Sequence, residues 1–226
     1  MKILSKSFII SAIILLALPL KGSAQRLFSK GSTIEDLVPE GWHVTQAQGD
    51  LNKDGIADLA MIVIPNDEDQ MEVREDSTAS NLNAPILAIY TGNREGGYSL
   101  MKIWDDDILE ASDNEGMSID HSIEITDRGV LKIFVSYFFS MGSWSVPSAT
   151  FLFRLQNGDF YLIGKDTDVF ARNTGKAEKV SYNYLTRKCQ RITYNAMDDS
   201  VKPKEKWSNL PKKPLQRLGT FTIAPE

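Results

Sequence analysis

The chain contains one stretch in which a loop rich in oxygen donors runs directly into an apolar strand: Asp50-Leu-Asn-Lys-Asp-Gly-Ile-Ala-Asp58, then Leu59-Ala-Met-Ile-Val-Ile64. Donors stand at alternate positions of the loop: the side chains of Asp50, Asn52, Asp54 and Asp58, and the carbonyl of Ile56. Ca²⁺ takes about six to eight oxygens at roughly 2.3–2.6 Å. Gly55 allows the loop to fold back over an ion, because glycine adopts positive φ without a Cβ penalty. The stretch therefore predicts a calcium loop followed by a buried strand.

The loop is not of the EF-hand type. An EF-hand needs a bidentate glutamate at its twelfth position and a helix on either side. Met61 stands at that position, and the flanking run is typical of a strand. An alternative interpretation is a turn capped by Asp and Asn side chains without an ion. The number of correctly spaced donors favours Ca²⁺.

The segment Gly49–Ile62 resembles the FG-GAP repeat of integrin α-chain propellers and of related bacterial secreted proteins. Ile86–Asn93, followed by Gly97 and Tyr98, resembles the second half of the same propeller blade. The resemblance covers about one blade, residues 44–104, and lacks the Phe-Gly and Gly-Ala-Pro elements that name the family. It implies that the Ca²⁺ ligands are Asp50, Asn52, Asp54, Asp58 and the carbonyl of Ile56. A closed seven-bladed propeller does not fit this chain at roughly 60 residues per blade.

The rest of the chain predicts an all-β, mostly antiparallel fold of about ten strands with propeller-blade-like repeats. Asn157-Gly158 between two apolar runs is a strong hairpin signal. We expect one β-rich domain over residues 25–226. It would hold a calcium-loop unit at 44–104 and a second unit at 117–223, closed by a C-terminal strand at Leu218–Ile223. Phe151–Gly164 also resembles small secreted bacterial proteins of unknown function.

The two units contain a possible internal repeat. Tyr90–Tyr98 is similar to Phe153–Phe160, since each has a strand, a glycine turn and an aromatic residue that opens the next strand. Asp54–Ile62 is similar to Asp127–Val135, although the second copy lacks the oxygen donors. The alternative is that any two β-hairpins share this degree of likeness.

The N-terminus is typical of a secretory precursor. Lys2 and Lys6 precede the apolar run Phe8–Leu20, and small residues precede Gln25. This pattern predicts a signal peptide at residues 1–24, cleaved after Ala24. The alternative is an uncleaved anchor, but the apolar run is shorter than the ~20 residues that span a bilayer. One cysteine and no Asn-x-Ser/Thr acceptor after the predicted cleavage point favour the periplasm or cell exterior of a bacterium.

Other chemistry-bearing residues give weaker signals. The two histidines, His43 and His121, lack neighbouring ligands at zinc spacing. Asp105-Asp106-Asp107 is an alternative cation site, but a solvated connection is the simpler interpretation. The aromatic residues around Gly142 are either core residues or an exposed ligand platform: Tyr137, Phe138, Phe139 and Trp144.

Taken together, the sequence favours a secreted, non-catalytic binding or scaffold protein of the bacterial envelope with a structural Ca²⁺. The net charge of −5 argues against a nucleic-acid partner. We expect a protein or polysaccharide partner and no membrane span after signal cleavage. One alternative is a hydrolase that acts on envelope or dietary polymers through loop carboxylates, and another is an inhibitor or immunity-type protein. Two convergent carboxylates in a cleft would indicate the hydrolase, and an aromatic-rimmed face would indicate binding.

Overall fold

The computed structural model describes residues 26–73, 79–105, 108–111 and 116–225, so the predicted signal peptide lies outside the described residues. Within these ranges the chain forms fourteen strands and one short 3₁₀ helix, Glu68–Gln70. The strands are β1 Lys30–Gly31, β2 His43–Gly49, β3 Asp58–Ile64, β4 Met71–Val73, β5 Ala79–Asn81, β6 Ile86–Gly92, β7 Tyr98–Trp104, β8 Met117–Ile125, β9 Val130–Phe139, β10 Ser145–Gln156, β11 Asp159–Ala171, β12 Lys176–Asn183, β13 Lys188–Asn195 and β14 Lys204–Asn209. The structure is 56% strand and 2% helical, which confirms the all-β prediction.

Two antiparallel sheets make up the body of the protein. The first has five strands in the order β1-β7-β6-β3-β2. The second has seven strands in the order β14-β13-β12-β11-β10-β9-β8 and curves into a half-barrel; no barrel closes within the described residues. The edge strand β2 of the first sheet packs beside β8, the edge strand of the second. The first sheet contains β2, β3, β6 and β7 from residues 43–104 and adds β1 from residues 30–31, whereas all strands of the second sheet lie within residues 117–209.

The apolar run after the predicted calcium loop is buried on both faces of β3. Ala60 and Ile62 point into a core shared with the second sheet, which includes Ile133. Leu59 and Met61 point to the other face, where the N-terminal segment 26–42 covers them. A strand covered on both sides needs apolar residues at every position, and this explains why the run shows no polar alternation.

A β-bulge occurs at the same point of a hairpin in each sheet. Between β6 and β7, Ile89 pairs with Lys102 and Tyr90 with Leu100, so one residue of β7 is extra. Between β10 and β11, Leu152 pairs with Gly164 and Phe153 with Leu162, so one residue of β11 is extra. Tyr90 and Phe153 are the residues that the sequence comparison aligns. The repeat therefore has a counterpart in backbone geometry as well as in residue pattern.

Two connections contain more structure than their polar composition indicates. Segment 66–83 holds the 3₁₀ helix and the β4–β5 ribbon on either side of residues 74–78, which lie outside the described residues. The tail from residue 202 onward contains β14, which pairs with β13.

The predicted closing strand at Leu218–Ile223 is wrong. The segment consists of turns and bends, and its only bridge joins Ile223 to Leu109. It closes the structure by packing instead, since both of its end residues are buried.

Candidate functional site

The predicted calcium loop connects β2 to β3 and is shaped by its own donor side chains. Asp50 Oδ1 accepts a hydrogen bond from the backbone N–H of Lys53 at 2.6 Å, and Asp50 Oδ2 accepts one from Gly55 at 2.9 Å. Asn52 Oδ1 accepts a hydrogen bond from the N–H of Asp54 at 2.9 Å. The Asn52 contact is an Asx turn, whereas the two Asp50 contacts reach three and five residues ahead along the loop. The residues predicted to bind the ion therefore also set the conformation of the loop.

Asp58 closes the loop from a buried position. Its side chain is 1% exposed and accepts backbone hydrogen bonds from Leu51 at 2.9 Å, Asn52 at 3.3 Å and Gly92 at 3.1 Å. Burial raises the pKa of Asp58; the three hydrogen bonds oppose this shift, and the charge of Asp54 adds to it. A cation in the loop would stabilise the ionised form of Asp58 and so oppose the rise in pKa that burial causes.

Two glycines allow both sheets to approach the loop closely. A Cβ atom on Gly92 of β6 would lie 2.1 Å from the carbonyl oxygen of Ala57. A Cβ atom on Gly129, in the β8–β9 turn, would lie 2.6 Å from the carbonyl oxygen of Asp50. No side chain fits at either distance. The loop is thus held between a strand of the first sheet and a turn of the second.

The five predicted donors lie on one loop and are all hard oxygens, which is the chemistry that Ca²⁺ prefers. Asn52 and Asp54 are exposed at its tip, whereas Asp58 is buried at its base. Among the described residues, no group of three His, Cys, Asp or Glu side chains is arranged to hold a metal ion. The proposed shell therefore depends on Asn52 and the carbonyl of Ile56 as well as on the carboxylates.

A cavity of about 540 Å³ lies on the core-facing side of the second sheet, where Phe151 and Leu162 line it. Lys165 lines it and is only 7% exposed, with Nζ 4.9 Å from the ring centroid of Phe151. Arg191 and Glu178, two further lining residues, form an ion pair in which both side chains are partly exposed. Our sequence analysis missed this site. A clue lies in the alternation of inward and outward residues along β11. Phe160 and Leu162 face inward, and the bulge makes Lys165, not residue 164, the next inward residue.

The structure brings the two histidines to one cavity. His43 and His121 line a space of about 410 Å³ together with Glu110. The Nε2 atom of His121 is buried and has no hydrogen-bond partner in the described part of the chain. Burial lowers the pKa of His121, against the opposing charges of Asp120 and Glu110. The hydroxyl of Tyr137 donates a hydrogen bond to Glu110, which lies in the same wall.

The aromatic residues around Gly142 divide into core and surface. Tyr137 and Phe139 belong to the core between the sheets. Phe138 and Trp144 are 45% and 63% exposed, and the guanidinium carbon of Arg172 lies 4.7 Å and 5.6 Å from their ring centroids. Tyr137 and Phe139 therefore pack in the core, whereas Phe138 and Trp144 lie at the surface.

Asp105 is exposed after β7, while Asp106 and Asp107 lie outside the described residues. None of the described helical residues forms a segment with the length and apolar character required to cross a membrane. Comparison of the chain with protein-family models, with curated proteins and with solved structures gives no match.

Proposed function

We propose that this protein is a non-catalytic binding or scaffold protein of the bacterial envelope, exported to the periplasm or cell exterior, with Ca²⁺ as a structural ion. The observation that carries this proposal is the position of the loop 50–58 between the two sheets. An ion bound by Asp50, Asn52, Asp54, Asp58 and the carbonyl of Ile56 would stabilise the junction where β6 and the β8–β9 turn meet. The FG-GAP resemblance supports the same ligand set.

The cavity on the core-facing side of the second sheet supports a binding role. Its walls include the aromatic residues Phe151, Tyr182 and Phe221. Glu178 is the one carboxylate among its described lining residues, and it is ion-paired with Arg191. A typical glycoside hydrolase instead places two carboxylates on either side of the scissile bond. An aromatic-walled cavity with one paired carboxylate favours recognition of a ligand.

The calcium part of the proposal is tested by melting the purified protein with Ca²⁺ and with EDTA. Extracellular calcium modules bind with Kd of about 10⁻⁴–10⁻³ M. Calcium at ten times Kd then stabilises the folded state by about 1.4 kcal/mol through binding linkage. We expect a higher Tm with calcium than with EDTA. An unchanged Tm, together with no calcium heat in calorimetry, would contradict the structural-ion proposal.

Single substitutions then locate the ion. Asp54→Ala should abolish the calcium-dependent rise in Tm, because it removes a charged donor at the exposed tip of the loop. In EDTA its stability should change little, since relief of the repulsion on buried Asp58 opposes loss of the hydrogen bond that Asp54 Oδ1 accepts from the N–H of Ile56 at 2.8 Å. Asp105→Ala is the matched control and should keep the full calcium response. An equal loss in both variants would mean that the two acidic loops build one site jointly.

A further inference from the structure

The chain after β14 forms a strap, residues 210–216, that is fixed to the second sheet at its two ends. At one end the N–H of Leu210 donates a hydrogen bond to the carbonyl of Arg187, in the β12–β13 turn, at 2.9 Å. At the other end the carbonyl of Gln216 accepts a hydrogen bond from the N–H of Leu162 of β11 at 2.8 Å. The strap therefore crosses the sheet between two fixed points.

The middle of the strap does not join the sheet. Residues 211–215 belong to no strand or helix, and they make no backbone–backbone hydrogen bond with the described part of the chain. Pro211 and Pro214 contribute to this, because proline has no N–H to donate and keeps φ near −65°. The strap thus passes over the sheet without pairing with it.

A second cavity, of about 370 Å³, lies between the strap and the sheet. Its lining is apolar on both sides, with Leu162, Tyr184, Leu210, Pro211, Pro214 and Leu215. Leu162 is 3% exposed and belongs to the core cluster. The cavity is therefore an apolar space that continues the core beneath the strap.

The charged side chains of this cavity are all cationic. Its described lining contains Arg187, from the β12–β13 turn, and Lys213, from the strap, but no carboxylate. Both residues are exposed, so their charged groups lie at the rim. Neither forms an ion pair with another described residue. The cavity thus combines apolar walls with two cationic groups that come from its two sides.

We infer that this cavity binds a single-chain amphiphile with an anionic head group, a fatty acid being the type. The alkyl chain would pack against Leu162 and Leu215, and the carboxylate would lie between Arg187 and Lys213. Charge complementarity selects the anion, and removal of methylene groups from water supplies the affinity. The inference rests on the proposed binding role but not on the calcium loop.

The size of the cavity favours one chain over two. Small-ligand sites usually enclose about 300–1,000 Å³, and this cavity lies near the lower end of that range. A free fatty acid therefore fits the space better than a phospholipid, whose two chains would have to enter together.

The experiment is ligand-observed NMR on the purified protein with four probes, each below its micelle concentration: decanoate, hexanoate, decyltrimethylammonium and dihexanoylphosphatidylglycerol. Decanoate should bind at least about tenfold more tightly than hexanoate, because its longer chain removes more methylene groups from water. It should bind at least about tenfold more tightly than decyltrimethylammonium, which has the same chain length and the opposite charge. Absence of decanoate binding, or equal binding of the cation, would overturn the assigned ligand class. Tighter binding of the two-chain lipid would overturn the single-chain assignment.

Two double variants place the amphiphile in this cavity. Arg187→Gln with Lys213→Gln should weaken decanoate binding by about tenfold or more, because both cationic partners of the carboxylate are removed. Lys202→Gln with Lys212→Gln is the matched control. It removes the same net charge from two exposed lysines that do not line the cavity, and Lys212 lies on the strap itself. The Tm of both variants should stay close to that of the unchanged protein, since all four side chains are exposed.

Equal decanoate affinity in the two double variants would place the amphiphile elsewhere and overturn the inference. The calcium-dependent Tm is measured on the same samples. An intact calcium response with no decanoate binding would reject the ligand class alone. Absence of the calcium response with decanoate binding retained would reject the structural ion and support the inference.

Discussion

The hairpins β6–β7 and β10–β11 share a bulge at the same position, yet the faces they present are covered differently. In the first sheet, the face that holds Tyr90 is packed by the N-terminal segment, with Leu37 and Val38 fully or almost fully buried against it. In the second sheet, the face that holds Phe153 is covered by the first sheet and by the C-terminal segment. Phe221 of that segment lies 6.2 Å from the ring centroids of both Phe151 and Phe153.

The same type of β-bulge is thus accompanied by a packed core in the first sheet and by a cavity in the second. The C-terminal segment runs alongside the first half of β11, where the N–H of Leu162 donates a hydrogen bond to the carbonyl of Gln216 at 2.8 Å. Four of its residues then line the cavity: Gln216, Phe221, Thr222 and Ala224. Lys165 lies just beyond the bulge, on the face that this segment covers incompletely. Within the described residues, the covering segment therefore leaves a cavity on the second sheet, whereas the N-terminal segment packs closely on the first.

A second comparison sets the loop 50–58 against the β8–β9 turn. Both connect the edge strand of a sheet to its neighbour. The turn needs little side-chain support: Gly129 N–H donates to the carbonyl of Thr126 at 2.8 Å, and Val130 N–H to Thr126 Oγ1 at 3.1 Å. The longer loop instead uses Asp58 to satisfy three backbone N–H groups. In the first sheet the side chain of Asp58 therefore accepts three backbone hydrogen bonds, whereas in the second sheet the side chain of Thr126 accepts one.

The largest effect is expected for Asp58→Ala. It should lower the free energy of unfolding by about 3 kcal/mol even in EDTA, because three N–H groups lose their acceptor in a buried place. Thr126→Ala, the matching change in the second sheet, removes one side-chain acceptor and should cost about 1 kcal/mol. Urea unfolding of both variants in EDTA measures the difference. Equal losses would show that the two connections are supported alike.

A smaller effect is expected for Tyr90→Phe. The buried hydroxyl of Tyr90 donates to the carbonyl of Phe28 at 2.9 Å, and burial raises the pKa of Tyr90 to about 12. Removing the hydroxyl should cost about 1 kcal/mol and loosen the N-terminal segment. Hydrogen exchange of the Phe28 amide, which donates to the carbonyl of Leu37, should become faster. Tyr98→Phe in the same cluster is the control, and equally fast exchange there would contradict the anchoring role.

Part of this architecture is predictable because it depends on local pattern. Continuous burial of Leu59–Ile64 follows from an unbroken apolar run, and the β10–β11 hairpin follows from Asn157-Gly158. Short strands such as β1 and β14 are not predictable in this way. Lys30 and Gly31 form a strand only because β7 lies beside them, and all six residues of β14 are exposed.

The cavity is harder to predict than the loop because its parts are distant in sequence. Phe151, Lys165, Tyr182 and Phe221 come from three strands and the C-terminal segment, and only the sheet register brings them together. His43 and His121 line one cavity for the same reason, since β2 packs beside β8. The donor ladder, in contrast, is contiguous. That is why the donor-rich loop is visible in the sequence while the cavity is not.

The smallest effect concerns the two histidines, one on the edge strand of each sheet. Burial lowers the pKa of His121 below its usual 6.5, whereas His43 is exposed. The unfolded chain then binds a proton at this site more tightly than the folded chain. The free energy of unfolding should therefore fall as the pH drops below about 6.5, until His121 is protonated in both states.

His121→Gln should flatten this part of the stability profile between pH 7 and pH 5, because it removes the group whose pKa is lowered by burial. The comparison uses the slope of the free energy of unfolding against pH. A packing change caused by the substitution shifts this free energy equally at every pH and so leaves the slope unaffected. His43→Gln is the control and should leave the slope unchanged, because His43 is exposed and folding does not bury its side chain. Urea unfolding at closely spaced pH values measures both slopes. If His43→Gln flattened the profile as much as His121→Gln, the difference in burial between the edge strands would not be the cause.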